Sequence, residues 1–468
     1  MSVSSIPGSQ AESQDWIELP LLELIEPLES GSRPKGGVRG IDSGIPSVGG
    51  EHLTAGGGFN FAKVKFVPKS FYASMRRGHI RRGDILIVKD GATTGKVALV
   101  RDDFPFKEAV VNEHLFIIRP KADHDSRYIF WYLHSKEGQE RVLEHFQGAA
   151  QGGINQQFAP GTLVPIPPTR DDEATIAAQI EGLVEGLQCP RDRLTTIPAL
   201  LKKFRQSVLA AACSGHLTAD WREFQPNALS ADELLVELIR MREHVIGTKS
   251  KQPVAPDPEA EYDMPTVWVH ASIDALSTKV ADGVHKTPKY QPSGIPFVTV
   301  RNLTAGPEIS FEKLNYISEA DHAEFTARTK PERGDILISK DGTIGTVRVI
   351  NTDREFSIFV SVALVKVADK RITPYLELAL NCPAVQGRMS RTGTGLQHLV
   401  LRDLRQLAIP LPPLDEQAEI VRRVEALFAL ADSIESRLAE ATTQVERTTQ
   451  AILAKAFRGE LTGDIDVL

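Results

Sequence analysis

The feature that most restricts the fold of this chain is an internal duplication. The run Arg82-Gly83-Asp84-Ile85-Leu86-Ile87-Val88-Lys89-Asp90-Gly91 returns 251 residues later as Arg333-Gly334-Asp335-Ile336-Leu337-Ile338-Ser339-Lys340-Asp341-Gly342. Gly44-Ile45-Pro46 returns as Gly294-Ile295-Pro296, Trp16 aligns with Trp268, and Pro165-Ile166-Pro167-Pro168 returns as Pro410-Leu411-Pro412-Pro413. Beyond that point the spacing settles at 244, where Ser214-Gly215-His216-Leu217-Thr218 matches Arg458-Gly459-Glu460-Leu461-Thr462. Two copies of one unit, each of roughly 200 residues, therefore account for nearly all of the 468.

Each copy runs in the same order: a mixed globular part, a Pro-Pro break, then a long helical stretch. In the second copy Val424, Leu427, Ala431, Ile434, Leu438, Ala441, Val445, Thr448 and Ile452 advance by alternating steps of three and four, the seam of a coiled coil. Asp415 is the N-cap candidate, Glu416 and Glu419 suit the first turn, and Gly459 stands where a C′ glycine belongs. In the first copy the same frame falls on Ile180, Leu183, Leu187, Leu194, Ile197, Leu201, Phe204 and Val208, interrupted by Pro190 and Pro198. A proline inside a helix removes a hydrogen bond and crowds the preceding turn, so this helix is expected in two pieces jointed between Gln188 and Pro198. An apolar stripe in water needs cover. The other copy's helix, matched in length and frame, is the nearest source, as an intramolecular antiparallel coiled coil; packing on the adjoining globular part or pairing between chains are the alternatives.

Charged residues make up 25% and hydrophobic ones 41%, a globular balance. No apolar run approaches the ~18 residues of a spanning helix, and residues 1–14 read as a flexible tail without a leader core. Cys189, Cys213 and Cys382 are too dispersed for a disulfide framework or a thiolate metal cluster, which suits a reducing cytoplasm. The net charge of −7 is unevenly spread. Residues 31–160 hold 19 Lys and Arg against 13 Asp and Glu, and residues 285–410 hold 17 against 13, whereas residues 171–284 hold 11 against 18. Two basic globular blocks thus alternate with acidic segments, and a phosphate-binding surface needs local rather than total charge.

In both copies Gly-Asp-Ile-Leu-Ile reads as a strand and Lys-Asp-Gly as a hairpin turn, with return strands at 96–101 and 346–350. The tips, with Lys89, Thr93 and Thr94 in one copy and Lys340 and Thr343 in the other, resemble a phosphate cradle. Lys96 is followed by Val97 and a strand rather than by Ser/Thr and a helix, so this is no P-loop. A plain structural turn and a turn whose tip meets a nucleic-acid backbone both remain open. Lys63, Lys65, Lys69, Arg76, Arg77 and Arg81 form a basic run interleaved with Phe66, Phe71 and Tyr72, either a solvated face or a phosphate contact. A polar loop precedes each Pro-Pro break, carrying Gln151, Asn155 and Gln156 in the first copy and Arg391, Thr394, Gln397 and His398 in the second. Amides and arginine can bond base edges in the major groove, or simply cap their own loop. Arg301 and Asn302 complete the set of candidate DNA-binding residues. Metalloprotease, hydrolase, redox and amino-methyltransferase motifs are absent, and His52, His114 and His398 stand singly, which favours structural or surface roles over catalysis.

Leu163-Val164-Pro165-Ile166-Pro167-Pro168, the run Pro198 to Ala212, Ser214 to Thr218, Pro410 to Gln417 and Ile452 to Leu461 resemble the conserved helical regions of type I restriction–modification specificity subunits. The duplicated hairpins are similar to those of that family's two target-recognition domains. The resemblance covers residues 15–463 and implies an α+β fold with two mixed α/β target-recognition domains and two long helices paired as an intramolecular antiparallel coiled coil of pseudo-two-fold symmetry. The implied division is a tail (1–14), target-recognition domain 1 (15–170), a central conserved helix (171–218), an acidic helix and exposed linker (219–264), target-recognition domain 2 (265–410) and a C-terminal conserved helix (411–468). It further implies a non-catalytic subunit that reads a bipartite double-stranded DNA site and docks two methyltransferase (modification) subunits and restriction (motor–nuclease) subunits. S-adenosylmethionine, ATP and Mg2+ then belong to those partners. Val421, Phe428 and Leu430, off the helical seam, are candidates for outer contacts or for packing on the globular part. The rival reading is a two-headed protein-interaction scaffold with no DNA sequence specificity.

Overall fold

A computed structural model describes residues 16–148, 152–224, 230–247, 251–260, 262–389 and 398–461. They fall into two compact units whose boundaries lie between Thr195 and Thr196 and between Leu438 and Ala439.

The globular part of the first unit is built from β1 (Ile17–Pro20), α1 (Leu21–Leu24), β2 (Glu29–Ser30), β3 (Ile45–Val48), β4 (Lys65–Val67), α2 (Lys69–Ser74), β5 (Ile85–Val88), β6 (Val97–Leu99), β7 (Val110–Val111) and β8 (Leu115–Ile118). It continues through α3 (Ser126–His134), α4 (Lys136–Leu143), β9 (Phe146–Gln147), β10 (Gly153–Ile154), α5 (Phe158–Gly161) and β11 (Leu163–Ile166). One sheet has the order β2-β8-β5-β6, a second β4-β3-β7, and β1 pairs with β11. The central strand β5 has Ile85 and Ile87 in one core with Tyr128 and Trp131, and Leu86 and Val88 in another with Val48 and Phe104. Both faces are covered, which explains an unbroken apolar run where a half-exposed strand would alternate.

Then follow α6 (Arg170–Cys213), α7 (Ala219–Glu223), α8 (Ala231–Ile246), β12 (Val269–Ser272), β13 (Ser277–Asp282), β14 (Ile295–Val298), α9 (Val300–Thr304), β15 (Asn315–Ile317), α10 (Glu319–Arg328) and β16 (Ile336–Ser339). The chain goes on with β17 (Val347–Val349), β18 (Ser357–Ile358), β19 (Val362–Val367), α11 (Thr373–Asn381), α12 (Pro383–Met389), α13 (Leu401–Gln406), β20 (Ala408–Leu411) and α14 (Leu414–Phe457). The sheets of the second unit, β13-β19-β16-β17, β15-β14-β18 and β12-β20, reproduce these three of the first strand for strand, while the small β9–β10 pair of the first unit has no counterpart among the described residues. The register agrees as well, since Ile85 faces Leu99 in one hairpin and Ile336 faces Val349 in the other.

The repeated aspartate is a structural anchor. Asp84 is fully buried, its carboxylate accepting from Arg81 N and, at 2.7 and 2.9 Å, from the Arg119 guanidinium. Burial pushes this carboxyl above its ordinary range, and Arg119 only partly offsets that. Asp335, equally buried, accepts from Glu332 N and pairs with Lys366 and Lys370.

The two long helices pair antiparallel. In the first unit Ala177, Ile180 and Val184 share a core with Leu453, Ala456 and Phe457. In the second, Val208 and Ala212 share one with Ile420 and Val424, and Arg205 reaches Asp432 and Glu435 at 2.8 and 3.0 Å. Of the seam positions, Ile180, Leu201, Val208, Val424 and Ala431 are buried. Leu183, Leu187, Leu194, Ile197, Phe204, Leu427, Leu438, Ala441, Val445, Thr448 and Ile452 are half-buried, and Ile434 is 37% exposed. Gly215 and Gly459 end the two helices with φ of +75° and +74°, the left-handed geometry expected of C′ glycines.

One expectation is corrected, and three further points are added to what the sequence showed. The first long helix is not jointed, because α6 runs unbroken through Pro190 and Pro198. Around Pro198 the helix surface is exposed, so water can satisfy the carbonyl that the proline leaves unbonded. The linker is largely exposed over residues 251–260, yet it is bonded to the second unit, with Val254 N donating to Asp274 Oδ2 at 3.0 Å, Asp257 N to Gln406 O at 2.8 Å and Tyr262 packed on the core. Val421 and Phe428 pack against the core of their own unit, leaving Leu430 exposed. Cys213 and Cys382, remote in sequence, meet in that core as hydrogen-bonded thiols. The hydrogen bond from the Cys213 thiol to Cys382, with burial, pushes the Cys213 thiol up, and the same bond holds the Cys382 thiol below its ordinary value.

Candidate nucleic-acid interface

The hairpin turn that follows each central strand is where sequence candidates converge. After β5 the chain turns through Gly91 and Gly95, both at positive φ (+95° and +89°), and Gly95 N closes the turn on Val88 O at 2.8 Å. Gly342 and Gly345 repeat this at +69° and +81°. An amide latch behind each turn is also repeated: Gln139 Nε2 donates to Gly95 O at 2.9 Å, and Gln386 Nε2 to Gly345 O at 2.8 Å. Neither glutamine was singled out from sequence, although the 247-residue spacing between them follows the duplication.

The polar loop then docks on the turn by backbone bonds. Ile154 N donates to Lys89 O at 2.7 Å and Gly91 N to Gly152 O at 3.4 Å, while in the second copy Leu399 N donates to Lys340 O at 2.9 Å. Turn and loop, far apart in sequence, therefore meet in the first copy through residues 152–154, and in the second copy residues 398 and 399 meet the turn in the same way. Thr93 and Thr343 are exposed on the turn, and Thr94 spends its hydroxyl on Gly91 O at 2.7 Å. Asn155 accepts from Gln157 N at 2.8 Å, so its carbonyl caps the loop, whereas Gln156 is exposed. Gln151, Arg391, Thr394 and Gln397 lie outside the described residues. His398 is exposed and bonded to Asp341.

Two candidates are withdrawn. Lys340 is 3% exposed, and its ammonium is bonded to Asp282 Oδ2 at 2.9 Å, so it cannot face a duplex. Asn302 is buried, capping Thr299 N at 3.0 Å and donating to Ser310 O, the place that His52 fills in the first copy by accepting from Gly49 N at 2.9 Å. Lys89 is half-buried beneath the turn, 3.3 Å from Ser30 Oγ and over the Phe116 ring. Arg301, on α9, stays exposed.

The basic run lies on the other sheet, on β4, α2 and the chain that follows. Lys63, Lys65, Lys69, Arg76, Arg77 and Arg81 are all exposed. Lys65 pairs with Glu51 at 2.7 Å, which holds that carboxyl below its usual value against the opposing effect of burial. Among the described residues Arg76 and Arg77 have no ion-pair partner. Phe71 and Tyr72 pack against Ile45, Val67 and Val110, so these rings are core and not stacking platforms. Among the described residues no group of three or more His, Cys, Asp or Glu could hold a metal, and no helix is long and apolar enough to cross a membrane.

Comparison with known proteins adds a family to this geometry. Residues 282–443, one copy's globular part with most of its helix, match the type I restriction modification DNA specificity domain. The chain is similar to the EcoBI specificity subunit of Escherichia coli, at 27% identity over 438 residues that span 91% of this chain and 85% of that protein. The EcoKI specificity subunit of Escherichia coli strain K12 is 27% identical over 416 residues, 87% of this chain and 80% of its own length. A solved chain from the work on complex assembly and conformational transition of the type I R-M system superposes with a TM-score of 0.63 at 19% identity, over 97% of this chain and all of that one, a likeness of fold.

Proposed function

Because the chain belongs to the specificity-subunit family of type I restriction–modification systems, we propose that it reads a bipartite double-stranded DNA site, one half with each globular part, and docks the methyltransferase subunits, and restriction subunits where a system has them. In this reading the chain makes and breaks no bonds itself. S-adenosylmethionine, ATP and Mg2+ serve the partners. The observation that carries the proposal is the duplicated surface: one glycine turn and one amide latch, with the chain at Ile154 and at Leu399 bonded to the turn, rebuilt on the same sheet order in both copies. Two reading heads on one chain are what a split site requires.

Phosphate contacts anchor a reader and base edges specify it. The exposed cations on β4 and beyond α2 suit the first task, and the turn-and-loop surface suits the second. Replacing Lys65, Arg76, Arg77 and Arg81 together by Ala is expected to weaken DNA binding by the assembled complex and to lessen the dependence of log K on log salt by up to about 3.6. An unaltered salt slope removes that patch from the interface. Duplex selection from a random library, with methylome sequencing of cells with and without the gene, tests the reading as a whole: two fixed half-sites at constant spacing are expected, and enrichment of no sequence favours the scaffold reading.

A further inference from the structure

Each copy sets an imidazole against the carboxylate of its Lys-Asp-Gly turn, and the two imidazoles come from non-equivalent places in the chain. In the first copy His114 Nδ1 lies 2.5 Å from Asp90 Oδ1. In the second, His398 Nδ1 is bonded to Asp341 Oδ1. The counterpart of His114 is Ser361: Lys89 N donates to His114 O at 3.0 Å, as Lys340 N does to Ser361 O at 2.8 Å. The counterpart of His398 is Gly153, bridged to Asp90 as His398 is to Asp341. A Cβ on Gly153 would stand 2.4 Å from Lys89 O and 2.9 Å from Asp90 Cβ, so in this copy the loop leaves no room for a side chain there. The pair has thus been kept while its histidine has changed source. A contact needed only to hold the turn has no reason to survive such an exchange, because backbone bonds from Ile154 to Lys89 and from Leu399 to Lys340 already tie the chain to the turn in both copies.

We infer that His114 and His398 each contact a base edge in the half-site read by their own copy, with Asp90 and Asp341 as positioning residues; this rests on the DNA-reading function proposed above. A carboxylate can only accept, so Nδ1 carries the hydrogen and Nε2 is left to face outward. Both side chains are about half exposed, at 51% and 48%. The nearest other charge to His114 Nε2 is Glu113 at 3.5 Å, too far for a good hydrogen bond, and Glu113 is itself held by Arg33 at 3.0 Å. In the neutral ring the outward nitrogen offers a lone pair, which fits the exocyclic amino group of adenine or cytosine in the major groove.

The test is selection from a random duplex library by the assembled complex at pH 8, comparing wild type with H114A, H398A, D90N and D341N. H114A and D90N are expected to relax base preference at one position of one half-site by about tenfold while leaving the other half intact; H398A and D341N are expected to do the same in the opposite half. Unchanged preferences, or a loss shared equally by both halves, overturn the inference while a two-part wild-type profile upholds the DNA reading. A wild-type complex that enriches no sequence overturns both.

Discussion

The repeated lysine of the Lys-Asp-Gly turn shows how one residue type comes to two fates. Lys89 looks toward Ser30, whereas Lys340 meets Asp282, a carboxylate at the corresponding end of β13 and 58 residues upstream. In Asp282 burial alone would raise the pKa, but Lys340, with His285 and Arg328 nearby, outweighs it and holds the carboxyl below its ordinary value. A depressed acid stabilises the fold above its unfolded pKa and loses that contribution as pH falls through the folded value. Wild type is therefore expected to lose more stability than Asp282→Asn between about pH 4 and pH 2, measured as the denaturation midpoint across that window. At neutral pH Lys340→Met leaves the Asp282 charge buried without its ammonium and is expected to cost about 3 kcal/mol in unfolding experiments, with no change in the salt slope of DNA binding. None of this was legible in the sequence. The turn could be aligned, but whether its lysine points to solvent depends on a residue that no local pattern connects to it.

The helices were more legible, because a heptad stripe is a local property of the chain. Alternating steps of three and four located the buried seam, while the added burial of Val184 and Leu453 comes from the core of the first globular part and so escaped the pattern. The stripe also predicts energies in order. Ile180→Ala removes a fully buried side chain from a core and is expected to cost about 3 kcal/mol, whereas Ile434→Ala, at a position 37% exposed, is expected to cost less than half of that; thermal and denaturant unfolding of the two variants measure the difference. The proline reading went too far for an identifiable reason. Sequence gives the lost hydrogen bond but not whether the helix around it is open to solvent, and the surface at Pro198 is exposed. Pro198→Ala restores a donor within a continuous helix and is expected to raise the unfolding midpoint. A lower midpoint would mean that the proline shapes a local bend that packing requires.

At the scale of the whole chain, duplication made the architecture readable: matching motifs in matching order implied matching sheets, and the strand orders agree. What duplication could not convey was how the chain between the copies is used, since α8 buries Leu234 and Leu238 in the second unit's core and residues 251–260 are bonded along it. Among the described elements, α6 and α14 alone contribute residues to both units. In the proposed function they therefore set the spacer between half-sites, while the bases within each half are read inside one unit. Inserting seven residues after Thr195 and seven after Leu438 keeps the heptad phase of both helices and lengthens each by about 10.5 Å, close to three base pairs of rise. The expected result in duplex selection or methylome sequencing is a lengthened spacer flanked by the two original half-site sequences, with weaker binding because three base pairs also turn one half-site by about a quarter to a third of a turn around the duplex. An unchanged spacer would remove the helices from that role. Altered half-sites would mean that reading is not confined to the separate units.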